Sequence, residues 1–281
     1  MNQVTRVRLT RYVAFSSGHR YWFSHLSREE NQALFGNLAS PFSHGHNYVL
    51  QVECSGFISP DHGMVVNIKT IDDIIKSSIS HQFDMKSIND EIPYFADHAP
   101  TTENILSYIK DILIQVLPSE VRLEKLILNE TPTLYAELVL QKNIMQLTRT
   151  YEFAAAHRLN APGLDEAENV QLFGKCNHIN GHGHNYVLEV TVQGMPDSKT
   201  GMITDVGAID AIVSKLVLDR YDHRNLNLDV EELVGKNTTS EVVALEIFKQ
   251  LNGKLPTELS RIRLYETARN MFEVCQADVI L

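Results

Sequence analysis

The sequence predicts an α+β protein of two tandem ββααββ units, each an antiparallel four-stranded sheet with two helices on one face. Three observations predict it. The first is internal repetition: His19 and His157, His44 and His182, His46 and His184, Asp84 and Asp222, and Glu103 and Glu241 each stand 138 positions apart. The offset slips to 136 only between LNET (128–131) and LYET (264–267). Such constancy marks a duplication, with repeats at 1–143 and 144–281 and a seam near 141–146. The second is alternation in stretches rich in Val, Tyr and Leu, which reads as strand. The third is apolar spacing of three and four, which reads as helix.

Taken in order, a first strand is predicted at about 4–14 and again at 146–155, each followed by a long loop. The second strand begins at the HGH, in HNYVLQVEC and HNYVLEVTV. A helix follows, with Ile68, Ile71, Ile75 and Ile79 on one face, and in its twin Ile209, Ile212, Val213, Leu216 and Val217. The next helix carries Ile105, Ile109, Ile112, Leu113 and Val116, matched by Val243, Ile247, Phe248 and Leu251. Strands at about 122–130 and 133–140, then 259–267 and 271–279, close the units. Hairpin connections imply an antiparallel sheet with its helices on one side. Open sheet edges invite pairing with a neighbour, so a homo-oligomer is expected.

Composition narrows the function. A formal net charge of −10 argues against nucleic acid as a partner, which would call for a basic face. Three widely spaced cysteines (Cys54, Cys176, Cys275) form no disulfide framework and suit a reducing, cytoplasmic setting. The start of the chain, MNQVTRVRLTRYVAF, has no apolar core of a signal peptide, and no apolar run suggests a membrane span.

CNHINGHGHNY (176–186) concentrates one cysteine and three histidines, and LASPFSHGHNY (38–48) nearly copies it. His182 and His184, two apart at a strand start, point the same way, and His157 ends the neighbouring strand. Three imidazoles are the protein half of a catalytic zinc site, and His19, His44 and His46 repeat them. Zinc is the default for such ligands, with copper, iron and nickel compatible by ligand type. His178 has no counterpart, since Ser40 stands there, and reads as a loop residue. Cys176 is either a fourth ligand or a thiolate base beside an open metal position. The first repeat has Leu38 in its place yet keeps the histidines, which favours the base. The first repeat also has Met85 where the second has His223, next to Asp84 and Asp222. Joint loss of the cysteine and that histidine suggests a chain of Cys176, His223 and Asp222 as base, relay and orienting carboxylate. Glu241 fits a capping box with Thr238. Glu266, matched by Glu130, ends a strand where a carboxylate could accept two N–H bonds from a heterocycle.

The ordered set FAAAHRL, FGKCNHINGHGHNY, DHRNLN, TTSE and YET resembles the 6-pyruvoyl-tetrahydropterin synthase family, which includes the 6-carboxy-tetrahydropterin synthases of queuosine biosynthesis. The resemblance covers nearly all of 147–275, and extends to the first repeat with departures at Leu38 and Met85. It implies a tunnelling fold (T-fold) whose units close 12-stranded barrels in two stacked rings, and so, for this chain, a trimer of tandem chains mimicking a hexamer. It implies 7,8-dihydroneopterin triphosphate as substrate. By the same resemblance His157, His182 and His184 are zinc ligands, Cys176, Asp222 and His223 the catalytic triad, and Glu266 the pterin anchor. Thr239 and Glu241 fall in the pocket, and Arg158, Lys175 and Arg224 are candidates for the triphosphate. The five residues between Cys176 and His182 resemble the pyruvoyl type more than the carboxy type. Rival readings are a non-enzymatic pterin- or metal-binding protein, a zinc hydrolase working through bound hydroxide, and a structural, partner-binding role that would suit the first repeat better than the second. The first two leave Cys176 without a task.

Overall fold

The computed structural model describes residues 5–279, so the expected strand start at residue 4 lies outside the described residues. The chain forms two compact bodies. The first holds the residues up to Leu147 together with Gly194–Ile203, the second Thr148–Gln193 and the residues from Thr204 on.

In the first body β1 (Arg6–His19) pairs antiparallel with β2 (His44–Phe57) over their full lengths, His19 opposite His44. Both strands run to the histidines, so β1 extends past the expected end at 14. Between them lies α1 (Arg28–Phe35), where the sequence reading places only loop. Its signal is the capping box Ser27–Glu30, in which side chain and backbone bond reciprocally at the helix start. After β2 comes α2 (Ile68–Ile75), continued by a π turn at Lys76–Ser80 and a last turn at His81–Phe83. Ile71, Ile75, Ile79 and Phe83 are all fully buried. Ile68, in the first turn, is exposed instead. Helix α3 (Thr102–Val116) buries Ile105, Ile109 and Leu113, while Val116 at its last position is exposed. Strands β3 (Val121–Thr131) and β4 (Leu134–Val139) complete the sheet in the order β4-β3-β2-β1. Tyr48, Leu50, Val52 and Cys54 of β2 are buried at every second position, the face that packs on the helices.

The second body repeats this with β5 (Ile144–His157), α4 (Glu166–Phe173), β6 (His182–Gly194) and α5 (Val206–Val213). The π turn recurs at Ser214–Leu218, followed by a turn at Asp219–Tyr221. Then come α6 (Ser240–Leu251), β7 (Glu258–Thr267) and β8 (Asn270–Cys275). The order is β8-β7-β6-β5. Helix α4 again sits in the expected loop, behind the capping box Asp165–Glu168. The last strand stops at Cys275 and passes into a 3-10 turn at Gln276–Asp278, short of the expected 279. Both units are therefore α+β with largely antiparallel sheets. No helix of the described residues is long and apolar enough to cross a membrane.

Candidate active site

The full-length pairing of β1 with β2 decides where the histidines go. It sets His19 opposite His44, with His46 two residues along the same strand and therefore on the same face. Among the described residues, two groups could hold a metal ion: His19, His44 and His46, and His157, His182 and His184. In each group one ligand atom per residue lies within 4.8 Å of the others. His157 is fully buried, and its Nδ1 lies 2.8 Å from the Thr238 carbonyl oxygen. A carbonyl only accepts, so Nδ1 carries the proton and the Nε2 lone pair faces the cluster. His19 does the same against the Pro100 carbonyl at 2.9 Å. The Nε2 atoms of His184, His19 and His46 are buried without a hydrogen-bond partner. Buried nitrogen lone pairs with nothing to accept are costly unless something is bound there. This donor set therefore fits a soft or borderline cation such as zinc.

Burial, followed by the neighbouring imidazoles, lowers the His157 and His184 pKa values, and burial pushes His19 down to about 3. The rings are thus neutral, the form a ligand needs. Glu266 stands beside them, its Oε1 3.7 Å from His157 Nε2 and 3.8 Å from His184 Nε2. Burial alone would raise its pKa, but hydrogen bonds from Ser240 Oγ (2.9 Å) and Asn270 Nδ2 (3.2 Å) outweigh it and hold the carboxylate ionised. Ser240 and Asn270 were missed by the sequence reading, although Ser240 lies inside the TTSE stretch that signals the site.

Asp222 and His223 form a pair, Oδ2 to Nδ1 2.9 Å, and His223 lines a groove of about 550 Å³ together with His184 and Arg224. The Ala154 N–H donates to Asp222 Oδ1 at 2.7 Å, and His223 sits at φ 55 with its N–H on the Ala154 carbonyl at 2.6 Å. The backbone thus turns the imidazole outward, 83% exposed. Cys176, half-buried in the 3-10 turn Gly174–Asn177, lies outside the histidine cluster and makes no hydrogen bond with Asp222 or His223 within the chain. Its position does not support the fourth-ligand alternative. Cys54 is fully buried, and burial pushes its thiol up to about 12. Of the triphosphate candidates, Arg158 is engaged on Asn177, with Nε 2.8 Å from that residue's carbonyl oxygen. Lys175 lies in the same turn as Cys176.

The N-cap of α6 corrects one expectation. Thr239, not Thr238, caps the helix, its side chain accepting from the Val242 N–H, so Glu241 is an exposed first-turn residue outside any capping box. Thr238 is buried and serves His157 through its carbonyl.

Each repeat thus gathers three histidines and a nearby glutamate, the class of site that can hold a metal ion. The sequence profile of the 6-pyruvoyl tetrahydropterin synthase family matches residues 8–140 and again 146–277, and the chain belongs to that family as a tandem duplication. It is an enzyme of that family's lyase type. It is 39% identical to the 6-pyruvoyl tetrahydrobiopterin synthase of Drosophila melanogaster over 133 residues, 47% of this chain and 79% of that one. It is also 39% identical to that of Homo sapiens over 127 residues, 45% of this chain and 88% of that one. A 6-carboxy-5,6,7,8-tetrahydropterin synthase of Rickettsia conorii is 27% identical over 150 residues, 47% of this chain and the whole of that one. The solved structure of the Caenorhabditis elegans 6-pyruvoyl tetrahydropterin synthase aligns with 47% of this chain and 95% of its own, at 40% identity and a TM-score of 0.46.

Proposed function

We propose that the second repeat converts 7,8-dihydroneopterin triphosphate to 6-pyruvoyl-tetrahydropterin with elimination of triphosphate. The observation that carries this is the pairing, in one repeat, of the His157, His182 and His184 cluster with ionised Glu266 and the Asp222–His223 pair. Relatives named for this product, at 39% identity, favour it over the 6-carboxy product of relatives at 27%. Zinc, held by His157, His182 and His184, would supply Lewis acidity towards substrate oxygens.

The rest falls to side chains. Glu266, kept ionised by Ser240 and Asn270, accepts the pterin's N–H donors and fixes the ring's orientation. Thr239 and Glu241 flank that end of the pocket. Cys176, as thiolate, takes a proton from the side-chain carbon, and the electron pair left behind expels triphosphate from the neighbouring carbon. Asp222 accepts from His223 Nδ1, leaving Nε2 free to pass protons during the redox-neutral rearrangement that follows. Cys176 and the pair do not meet within one chain, so the reading includes a homo-oligomer, taken as a trimer of tandem chains, in the cytoplasm. The first repeat keeps His19, His44, His46 and Glu130 but has Leu38 and Met85, and is read as a metal-holding repeat without turnover.

The test is product analysis of zinc-loaded protein with 7,8-dihydroneopterin triphosphate, beside a Cys176→Ala variant. Triphosphate and 6-pyruvoyl-tetrahydropterin, both lost in the variant, are expected. A 6-carboxy product with acetaldehyde would move the chemistry to the queuosine type. No turnover, or turnover indifferent to Cys176, would overturn the lyase reading and leave a pterin- or metal-binding role.

A further inference from the structure

Arg158 follows His157 at the end of β5, and its surroundings differ in kind from those of its counterpart Arg20. The backbone frame is shared. The Arg20 N–H donates to Asn89 Oδ1 at 2.8 Å, and the Arg158 N–H to Asn227 Oδ1 at 2.7 Å. The side chains part company. Arg20 grips Asp90 with Nη1 on Oδ2 at 2.7 Å and Nη2 on Oδ1 at 2.6 Å, so its charge is neutralised within the chain. The second repeat has Leu228 in place of Asp90, and Arg158 turns to Asn177 instead. Its Nε donates to the Asn177 carbonyl at 2.8 Å and its Nη2 to Asn177 Oδ1 at 3.1 Å. Among the described residues no carboxylate pairs with Arg158, and Nη1 makes no hydrogen bond. The neutral Asn177 therefore fixes the guanidinium without cancelling its charge, which leaves a pre-organised cation.

The neighbours of Arg158 differ in the same sense. Arg158 lines a groove of about 540 Å³ together with Asn160, Asn180, Leu228, Gly235 and Lys236. At the repeat offset the first repeat has Trp22, Phe42, Asp97 and His98 in place of Asn160, Asn180, Gly235 and Lys236. Two aromatic rings thus stand against two amides, and a carboxylate and an imidazole against a bare glycine and an ammonium. Gly235 leaves open space, since a Cβ there would meet nothing within 4 Å. Lys236 Nζ lies 2.9 Å from Glu246 Oε1, but that same carboxylate also takes Lys249 at 3.0 Å, so two ammoniums share one negative charge. Asp229, on the same turn, accepts the Asn225 N–H at 2.8 Å and does not line the groove. On a chain of net charge −10, a groove so lined selects anions locally.

We propose that this groove binds an oligophosphate chain, through Arg158 Nη1, Lys236 and the side-chain amides of Asn160 and Asn180. Donors spread along a groove suit an anion whose oxygens are spread in the same way. The groove also touches the candidate active site. Arg158 follows His157 directly, Gly181 precedes His182 directly, and Asn225 lines both this groove and the one lined by His223. Assigning the anion to the substrate's triphosphate rests on the lyase reading above, whereas the groove's affinity for oligophosphate does not. The contrast between repeats runs with that reading. The arginine is unpaired only in the repeat that carries Cys176 and His223, and is closed off by Asp90 in the repeat that carries Leu38 and Met85.

Calorimetric titration of the zinc-loaded full chain with inorganic tripolyphosphate at low ionic strength tests this. Leu228→Asp gives Arg158 the carboxylate that Asp90 gives Arg20, at a position 76% exposed. Lys236→Ala removes the ammonium. Each variant, with circular-dichroism melt and zinc content unchanged, should bind tripolyphosphate about ten- to hundredfold more weakly, the loss expected for a hydrogen bond to a charged group. Wild-type affinity should fall with added salt. A wild type that does not bind, or binding that ignores both substitutions as binding through the metal would, overturns the proposal. Turnover separates it from the lyase reading. With 7,8-dihydroneopterin triphosphate, Leu228→Asp should raise KM about tenfold and leave kcat within about twofold. An unmoved KM beside weakened tripolyphosphate binding would keep the groove and assign it to a free oligophosphate. Tripolyphosphate binding that answers to Leu228→Asp in a protein without turnover would sink the lyase reading and leave the groove standing. Turnover that depends on Cys176, beside tripolyphosphate binding indifferent to Leu228→Asp and Lys236→Ala, would do the reverse.

Discussion

Glu103 makes the burial of the Gly194–Ile203 segment measurable. Its carboxyl is buried in the first body, and burial pushes its pKa from an ordinary 4.5 up to about 7, against the lowering effect of the Ile203 N–H. The unfolded chain therefore releases this proton first as pH rises. Stability contributed by the protonated form is complete below about pH 4.5 and is lost as pH passes through about 7. A shift of this size corresponds to about 3 kcal/mol at 1.36 kcal/mol per pH unit. Glu103→Gln keeps an acceptor oxygen for the Ile203 N–H and removes the charge. The variant should match wild type in urea unfolding near pH 4.5 and exceed it by about 3 kcal/mol at pH 8.5, or several degrees in Tm. Metal contributions cancel if both proteins carry the same metal load. A stability difference that ignores pH, or one that grows towards acid, would refute the account of a carboxyl raised by burial.

Metal analysis after dialysis should find two equivalents of zinc per chain. His182→Ala and His44→Ala should each retain one, with turnover lost only in His182→Ala. Asp222→Asn should leave metal content unchanged and lower kcat by about a hundred- to ten-thousandfold, since the amide favours the wrong imidazole tautomer. Equal loss of zinc and turnover in that variant would place Asp222 with the metal rather than with His223.

Much of this was readable because the repeat offset preserves function-bearing positions. The histidines at 19, 44 and 46 and at 157, 182 and 184 are brought together by a strand pairing that period-two reasoning anticipates. What escaped has a physical reason in each case. Helices α1 and α4 are only eight residues long, with little apolar periodicity, and announce themselves through the Ser27–Glu30 and Asp165–Glu168 boxes alone. The π turns at Lys76–Ser80 and Ser214–Leu218 leave the helical spacing of Ile75 and Ile79 intact, so pattern cannot reveal them. Carbonyls such as those of Thr238 and Pro100 hold His157 and His19 irrespective of side chain, and carry no sequence signal.

The same logic explains what the first repeat retained beside what it lost. Asp84 keeps a structural bond, its Oδ1 accepting the Ser16 N–H at 3.0 Å as Asp222 accepts that of Ala154 at 2.7 Å. Met85 holds φ 57 with its N–H on the Ser16 carbonyl at 2.7 Å, although a methionine gains nothing from the left-handed region. The turn therefore belongs to the fold, and the imidazole at 223 is what the proposed chemistry asks of it. Met85→His should then be accepted without cost, because histidine enters that region more readily than most residues and Met85 is 82% exposed. Urea unfolding should change by no more than about 0.5 kcal/mol, as for other surface substitutions. A crystal structure of the variant should show the new imidazole on Asp84. Turnover should not rise, since Leu38 still offers no thiolate. A loss above about 1 kcal/mol would mean that Met85 makes contacts of its own, and that the turn was kept for the methionine rather than inherited from a catalytic ancestor.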